Sequence, residues 1–142
     1  MTNEIAIGVA YQDQAISGGS IDGSPIGATT PSTGMFSSLG ISTSTVAAAG
    51  STNADAGALG YGFILVTGAD ATKGVILPNA AVGTLIFIKN SSASALKVYP
   101  DSGAAINALT ATTGAYSMAA QTDAILIAYS ANQWYTLPLV AS

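Results

Sequence analysis

The chain has 142 residues, 49% of them hydrophobic and only 7% charged, with three lysines, no arginine, no cysteine and no histidine. Disulfides, zinc fingers and Cys- or His-based nucleophile pairs are excluded. A net charge of −4 leaves no electrostatic footprint for nucleic acid. Mean hydropathy is +0.50, yet the apolar runs, among them Phe63–Val66, Leu85–Ile88 and Ile125–Ala128, are strand-sized and far short of the ~18–20 residues of a spanning helix. No basic segment of a signal peptide opens the chain. The expectation is a soluble, cytoplasmically made protein with no membrane partner.

Alanine favours helices, but helical spacing of apolar residues is not sustained here. Alanine is interleaved with Gly, Ser, Thr and β-branched residues, and turn signals recur every 8–12 positions. This predicts an all-β protein.

Residues 1–45 read as an extended arm. Ile5, Ile7, Val9 and Tyr11 alternate with smaller or polar neighbours, a period of two that predicts a short strand. A Gly- and Pro-rich stretch follows, with Ile21 and Ile26 as isolated anchors, and then a small apolar group of Met35, Phe36, Leu39 and Ile41. So few large apolar residues cannot order an arm by themselves. Residues 46–58 are rich in Ala, Gly and Ser and read as a linker, with a short helix through Val46–Ala49 as the alternative.

From Leu59 onward, strands are predicted near Tyr61–Thr67, Gly74–Leu77, Thr84–Asn90, Leu96–Tyr99, Tyr116–Met118, Ala124–Tyr129 and Trp134–Leu137. The last two, joined through Ser130–Gln133, read as an antiparallel hairpin. Seven short strands in so few residues predict a small antiparallel β-sandwich or jelly-roll-like domain over 59–142. Three of the strands are apolar on both faces, whereas a two-layer sandwich in water has polar outer faces. Something must cover the second face, either the arm or a neighbouring subunit.

Candidate chemistry is sparse. No two of the seven acids, Glu4, Asp13, Asp22, Asp55, Asp70, Asp101 and Asp123, lie within four positions of each other, so there is no Ca²⁺ loop. Asp22-Gly23 and Asp101-Ser-Gly103 read as turns. Nothing selects a glycosidase pair, and Gly18–Gly23 lacks the Lys-Ser/Thr of a phosphate loop. Lys89 and Lys97 flank the Asn90–Ala95 turn and read as guards of strand edges. Trp134 reads as a packing residue before a stacking platform. No enzyme activity, metal or cofactor is expected.

Two stretches carry a family resemblance. Ser17-Gly-Gly-Ser-Ile-Asp-Gly-Ser-Pro-Ile-Gly-Ala-Thr-Thr-Pro-Ser-Thr-Gly-Met-Phe-Ser-Ser-Leu39 resembles an arm pattern of tailed-bacteriophage structural proteins, found in fibres and capsid-decorating proteins alike. Val75-Ile-Leu-Pro-Asn-Ala-Ala-Val-Gly-Thr-Leu-Ile-Phe-Ile-Lys-Asn90, continuing through Leu96–Pro100, Ala105–Asn107 and Gln133-Trp134, is similar to a β-domain common among phage virion proteins. The resemblance implies a homotrimer whose arms intertwine or pack at the threefold axis. It further implies a decoration (cement) protein on the outer capsid surface, since 142 residues leave no room for a fibre's shaft and tip. On this reading Ile5, Ile7, Val9 and Tyr11 form the arm that binds the major capsid protein. Ile21, Ile26, Phe36, Leu39, Ile86 and Ile88 form the trimer interface. The alternative is a short fibre module that stacks a glycan on Trp134, Tyr135 or Tyr116.

Overall fold

A computed structural model describes residues 37–137; all but the first two belong to one compact unit that begins at Leu39. These residues form ten strands and no helix. In chain order the strands are β1 (Thr43–Ala47), β2 (Gly57–Ala58), β3 (Gly62–Thr67), β4 (Gly74–Ile76) and β5 (Leu85–Asn90), followed by β6 (Leu96–Tyr99), β7 (Ala105–Ile106), β8 (Tyr116–Met118), β9 (Asp123–Ser130) and β10 (Gln133–Leu137). A six-stranded sheet has the order β1-β3-β5-β9-β10-β7, and a four-stranded sheet the order β2-β4-β6-β8.

The all-β expectation holds, but the antiparallel one does not. From β1 to β9 the chain changes sheet at every step. Up to β6, two strands that are neighbours in one sheet are separated by one excursion to the other and run in the same direction. Hence β1, β3 and β5 pair in parallel, as do β2, β4 and β6. Only the later pairs β5–β9, β6–β8 and β9–β10 are antiparallel. The sheets are mixed, and the β9–β10 hairpin stands as expected.

The core lies between the two sheets. Ile64, Val66, Ile86, Ile88, Leu126 and Ala128 of the larger sheet face Val75, Leu96, Val98 and Met118 of the smaller one, all buried. Trp134 and Ile106, register partners in β10 and β7, close one end of this layer. Ile86 and Ile88, placed in a trimer interface by the sequence reading, thus belong to the core. Side chains alternate along a strand, and their phase points inward.

Residues 46–58 are not a linker. Val46 and Ala47 complete β1, Ala48 is buried, and Ala49 bridges to Gly74 through two backbone hydrogen bonds of 3.0 Å. Small side chains serve close packing here. The arm of the sequence reading likewise loses Thr43–Thr45 to β1. Gly62 shows how tightly β3 enters beside this strand. Its φ is +101°, a Cβ would collide with the Ser42 carbonyl, and that carbonyl accepts the Phe63 amide at 2.9 Å. Only glycine meets both demands.

The outer face of the small sheet is capped at Tyr99 by the chain itself. Tyr99 lies across Gly74, whose absent side chain makes the room, and its hydroxyl donates to the Ser51 carbonyl. The 50–55 loop above it is closed by Asp55, whose Oδ1 accepts from Ser51 N at 3.1 Å, Thr52 N at 2.8 Å and Thr52 Oγ at 2.7 Å. Asp70 repeats the device, accepting from Thr72 Oγ at 2.7 Å and from Thr72 N and Lys73 N at 3.0 Å. Hydrogen bonds led by the threonine hydroxyls hold both carboxyls below the usual carboxylate range. Such groups bind protons more weakly folded than unfolded, so the stability they add is present at neutral pH and vanishes as pH falls through their depressed pKa values. The melting temperature is expected to drop between about pH 4 and pH 2. A D55N/D70N variant should drop by less over the same interval; parallel curves for the two proteins would count against this origin.

Candidate assembly surface

The outer face of the six-stranded sheet is unlike that of the small one. Alternation places Phe63 and Leu65 of β3, Leu85 and Phe87 of β5, Ile125, Ile127 and Tyr129 of β9, and Tyr135 and Leu137 of β10 on it. Their register makes rows. Phe63 pairs with Phe87, Phe87 with Ile125 and Ile125 with Leu137, so four large apolar side chains cross four adjacent strands without interruption. A second row runs Leu85–Ile127–Tyr135. Phe63 is 39% exposed, Leu85 44%, Tyr135 42% and Leu137 47%, while Leu65, Phe87, Ile125 and Ile127 are half-buried among them.

Polar groups sit only at the margins. Lys89 pairs with Asp123 across the β5–β9 register at 3.3 Å and donates to the Gln121 carbonyl at 2.8 Å. At the opposite margin Tyr129, 70% exposed, meets Tyr135 edge to face with ring centroids 5.7 Å apart. An apolar centre within a polar or aromatic rim is the anatomy of a subunit interface. Lys89 therefore does not guard a strand edge, because β5 lies inside its sheet, and β6 with Lys97 lies inside the other.

Of the interface residues expected from sequence, Leu39 is exposed, at 76%. Ile5, Ile7, Val9, Tyr11, Ile21, Ile26 and Phe36 lie outside the described residues. The surface residues missed by the sequence reading are the neighbours of Ile86 and Ile88. Lys89 held the signal for them: a lysine in phase with Leu85 and Phe87 marks that phase as the outer one.

Sites for chemistry are few. Among the described residues no group of three or more His, Cys, Asp or Glu side chains comes together. Nor is any helix there long and apolar enough to cross a membrane. A cleft of about 150 Å³ beside Tyr99 is lined by Ser51, Thr52, Asn53 and Thr113. Burial, and secondarily the Asp55 charge, pushes the Tyr99 hydroxyl above its usual pKa. A wider cleft of about 530 Å³ runs from Tyr116 and Ser117 to Asp123 and Leu137. A stacking platform centred on Trp134 does not exist, since that indole is fully buried and donates to Asp101 Oδ1 at 3.2 Å. Asp101 turns the chain as expected, with Gly103 at φ +85°, but its carboxylate is a buried partner of the core.

No protein-family model, curated protein or solved structure matches this chain.

Proposed function

We propose that the chain is a structural protein of a tailed-phage virion, a homotrimeric decoration (cement) protein that binds the outer surface of the capsid and stabilises the shell. The observation that carries this reading is the outer face of the six-stranded sheet, a continuous apolar surface in a chain with almost no charge. Monomeric proteins rarely leave so large a contiguous apolar patch open to water. The sequence resemblance to virion proteins supplies the setting. Cementing requires burial of surface across the joints between capsid subunits and needs no catalytic group. Binding to the major capsid protein falls to residues 5–11, which the alternation of Ile5, Ile7, Val9 and Tyr11 predicts as a strand and which would add to a sheet edge through main-chain hydrogen bonds.

Purified protein is expected to have a mass of three times 13.9 kDa in solution. Added to heads of its own phage that lack it, it should raise the temperature at which they open. Removal of residues 1–11 should abolish head binding and leave the native mass unchanged. Heads that neither bind the full chain nor gain stability from it would overturn the proposal.

A further inference from the structure

We infer that the outer face of the six-stranded sheet is where three copies of this chain meet, and that the capsid is bound elsewhere. The inference rests on the trimeric reading above and assigns its interface.

Three observations select a copy of the chain as the occupant. First, the face is apolar at its centre, along the row Phe63–Phe87–Ile125–Leu137. A decoration protein is free in water before it meets a capsid, so a surface of this kind has to be closed already in the free oligomer. A surface reserved for the capsid stays open until then and must tolerate water. Second, the face has no net charge. Its one lysine, Lys89, is matched by Asp123 at 3.3 Å, although the whole chain carries −4. Copies can therefore bring these faces together without like-charge repulsion, and the face offers no charge by which to select an oppositely charged partner. Third, on the corresponding face of the small sheet Tyr99 is capped by the chain's own 50–55 loop, and the next outward pair, Lys97 and Ser117, is polar. Within the described unit the larger sheet alone presents a broad apolar face outward.

Around a threefold axis each face would meet two neighbours, the β3 side of one copy against the β10 side of the next. A heterologous contact of this kind closes after three subunits. Sheets packed face to face lie about 10 Å apart, so side chains from the rows of the two copies interdigitate.

The test uses the full chain and three readouts: mass by light scattering, emission of Trp134, and labelling by a maleimide. The chain has one tryptophan and no cysteine. Trp134 is buried in the core, so blue-shifted emission reports folding independently of association. In Phe87→Asp the mass should fall to one-third of that of the native trimer while Trp134 emission stays blue-shifted. Phe87→Cys, a milder change, should remain trimeric and label far more slowly than Val82→Cys, made at a position where the native side chain is 73% exposed.

The unmodified chain decides the trimeric reading by itself: a monomeric mass sinks that reading and this inference together. A native trimer whose mass survives Phe87→Asp overturns only the inference. If that trimer no longer binds heads, the face belongs to the capsid contact. If it binds heads but melts earlier, the face is covered within one chain. Should Phe87→Asp fail to fold, labelling decides: if the thiol of Phe87→Cys reacts in the trimer as fast as that of Val82→Cys, the assignment is overturned.

Discussion

Trp134→Ala is expected to destabilise the fold by about 3–5 kcal/mol, the range for truncating a large buried aromatic. The indole is fully buried at the end of the core. It lies in β10 opposite Ala128 of β9 and Ile106 of β7, so no neighbouring strand can collapse into the space. Its ring nitrogen also donates to Asp101 Oδ1 at 3.2 Å, while Asp101 Oδ2 accepts the Ala80 amide at 3.4 Å. Truncation leaves a buried carboxylate with half its donors removed. Set against a typical domain stability of about 5–15 kcal/mol, the loss is a large fraction of the whole. Trp134→Phe keeps most of the volume and removes the donor, which should cost about 1–3 kcal/mol. Urea unfolding followed by far-ultraviolet circular dichroism measures both. A loss below about 1 kcal/mol for the alanine variant would mean that the end of the core is more pliable than its packing shows.

Asn90→Ala should be nearly as damaging, at about 3 kcal/mol or more. Asn90 ends β5 and is fully buried. Its amide donates to the carbonyls of Ser94 at 2.9 Å and Ala119 at 3.0 Å, and its Oδ1 accepts the Ser92 amide at 3.1 Å. One side chain thus ties the passage between the sheets after β5 to the segment that leaves β8. Alanine leaves three part-buried main-chain groups without their partner at once. Asn90→Asp is the sharper test, because it removes both amide protons and aims a carboxylate at two carbonyl oxygens. At neutral pH the aspartate variant should melt below the alanine variant; the reverse order would show that these carbonyls find water instead.

Much of this is legible in the sequence. The strands from β3 to β6 and from β8 to β10 fall within a residue or two of the predicted spans, because apolar residues there recur with a period of two or in short β-branched runs between turn residues. Thr43–Ala47 escapes a reading of this kind. Thr-Ser-Thr has no apolar alternation, and at the margin of the sheet most of its side chains stay in solvent. The short β2 and β7 are held by partners distant in sequence and leave no local mark. Parallel pairing is invisible for a related reason: local periodicity says that a strand exists, not which way its neighbour runs. In Leu85–Ile88, where both phases are apolar, the pattern shows that two faces need cover. Which one looks inward is told only by the next residue, Lys89, in phase with Leu85 and Phe87.

The alternation of the chain between two sheets also has a consequence for how the fold is reached. Thr43 pairs with Phe63 and Gly62 with Ile86, each contact closing a loop of about twenty residues at a modest entropic cost. The early strands can accordingly assemble as successive windings, each templated by the one before. Pairing of β5 with β9 is different: Leu85 must find Ile127, and everything between, including three strands of both sheets, has to be in place or out of the way. That closure has the longest reach of the strand pairings in the described fold, and long-reach pairing is slow. Until it happens, the apolar edge of β5 is unpaired, so the interval before β9 docks is when this chain is most exposed to sticking to its copies in the wrong way.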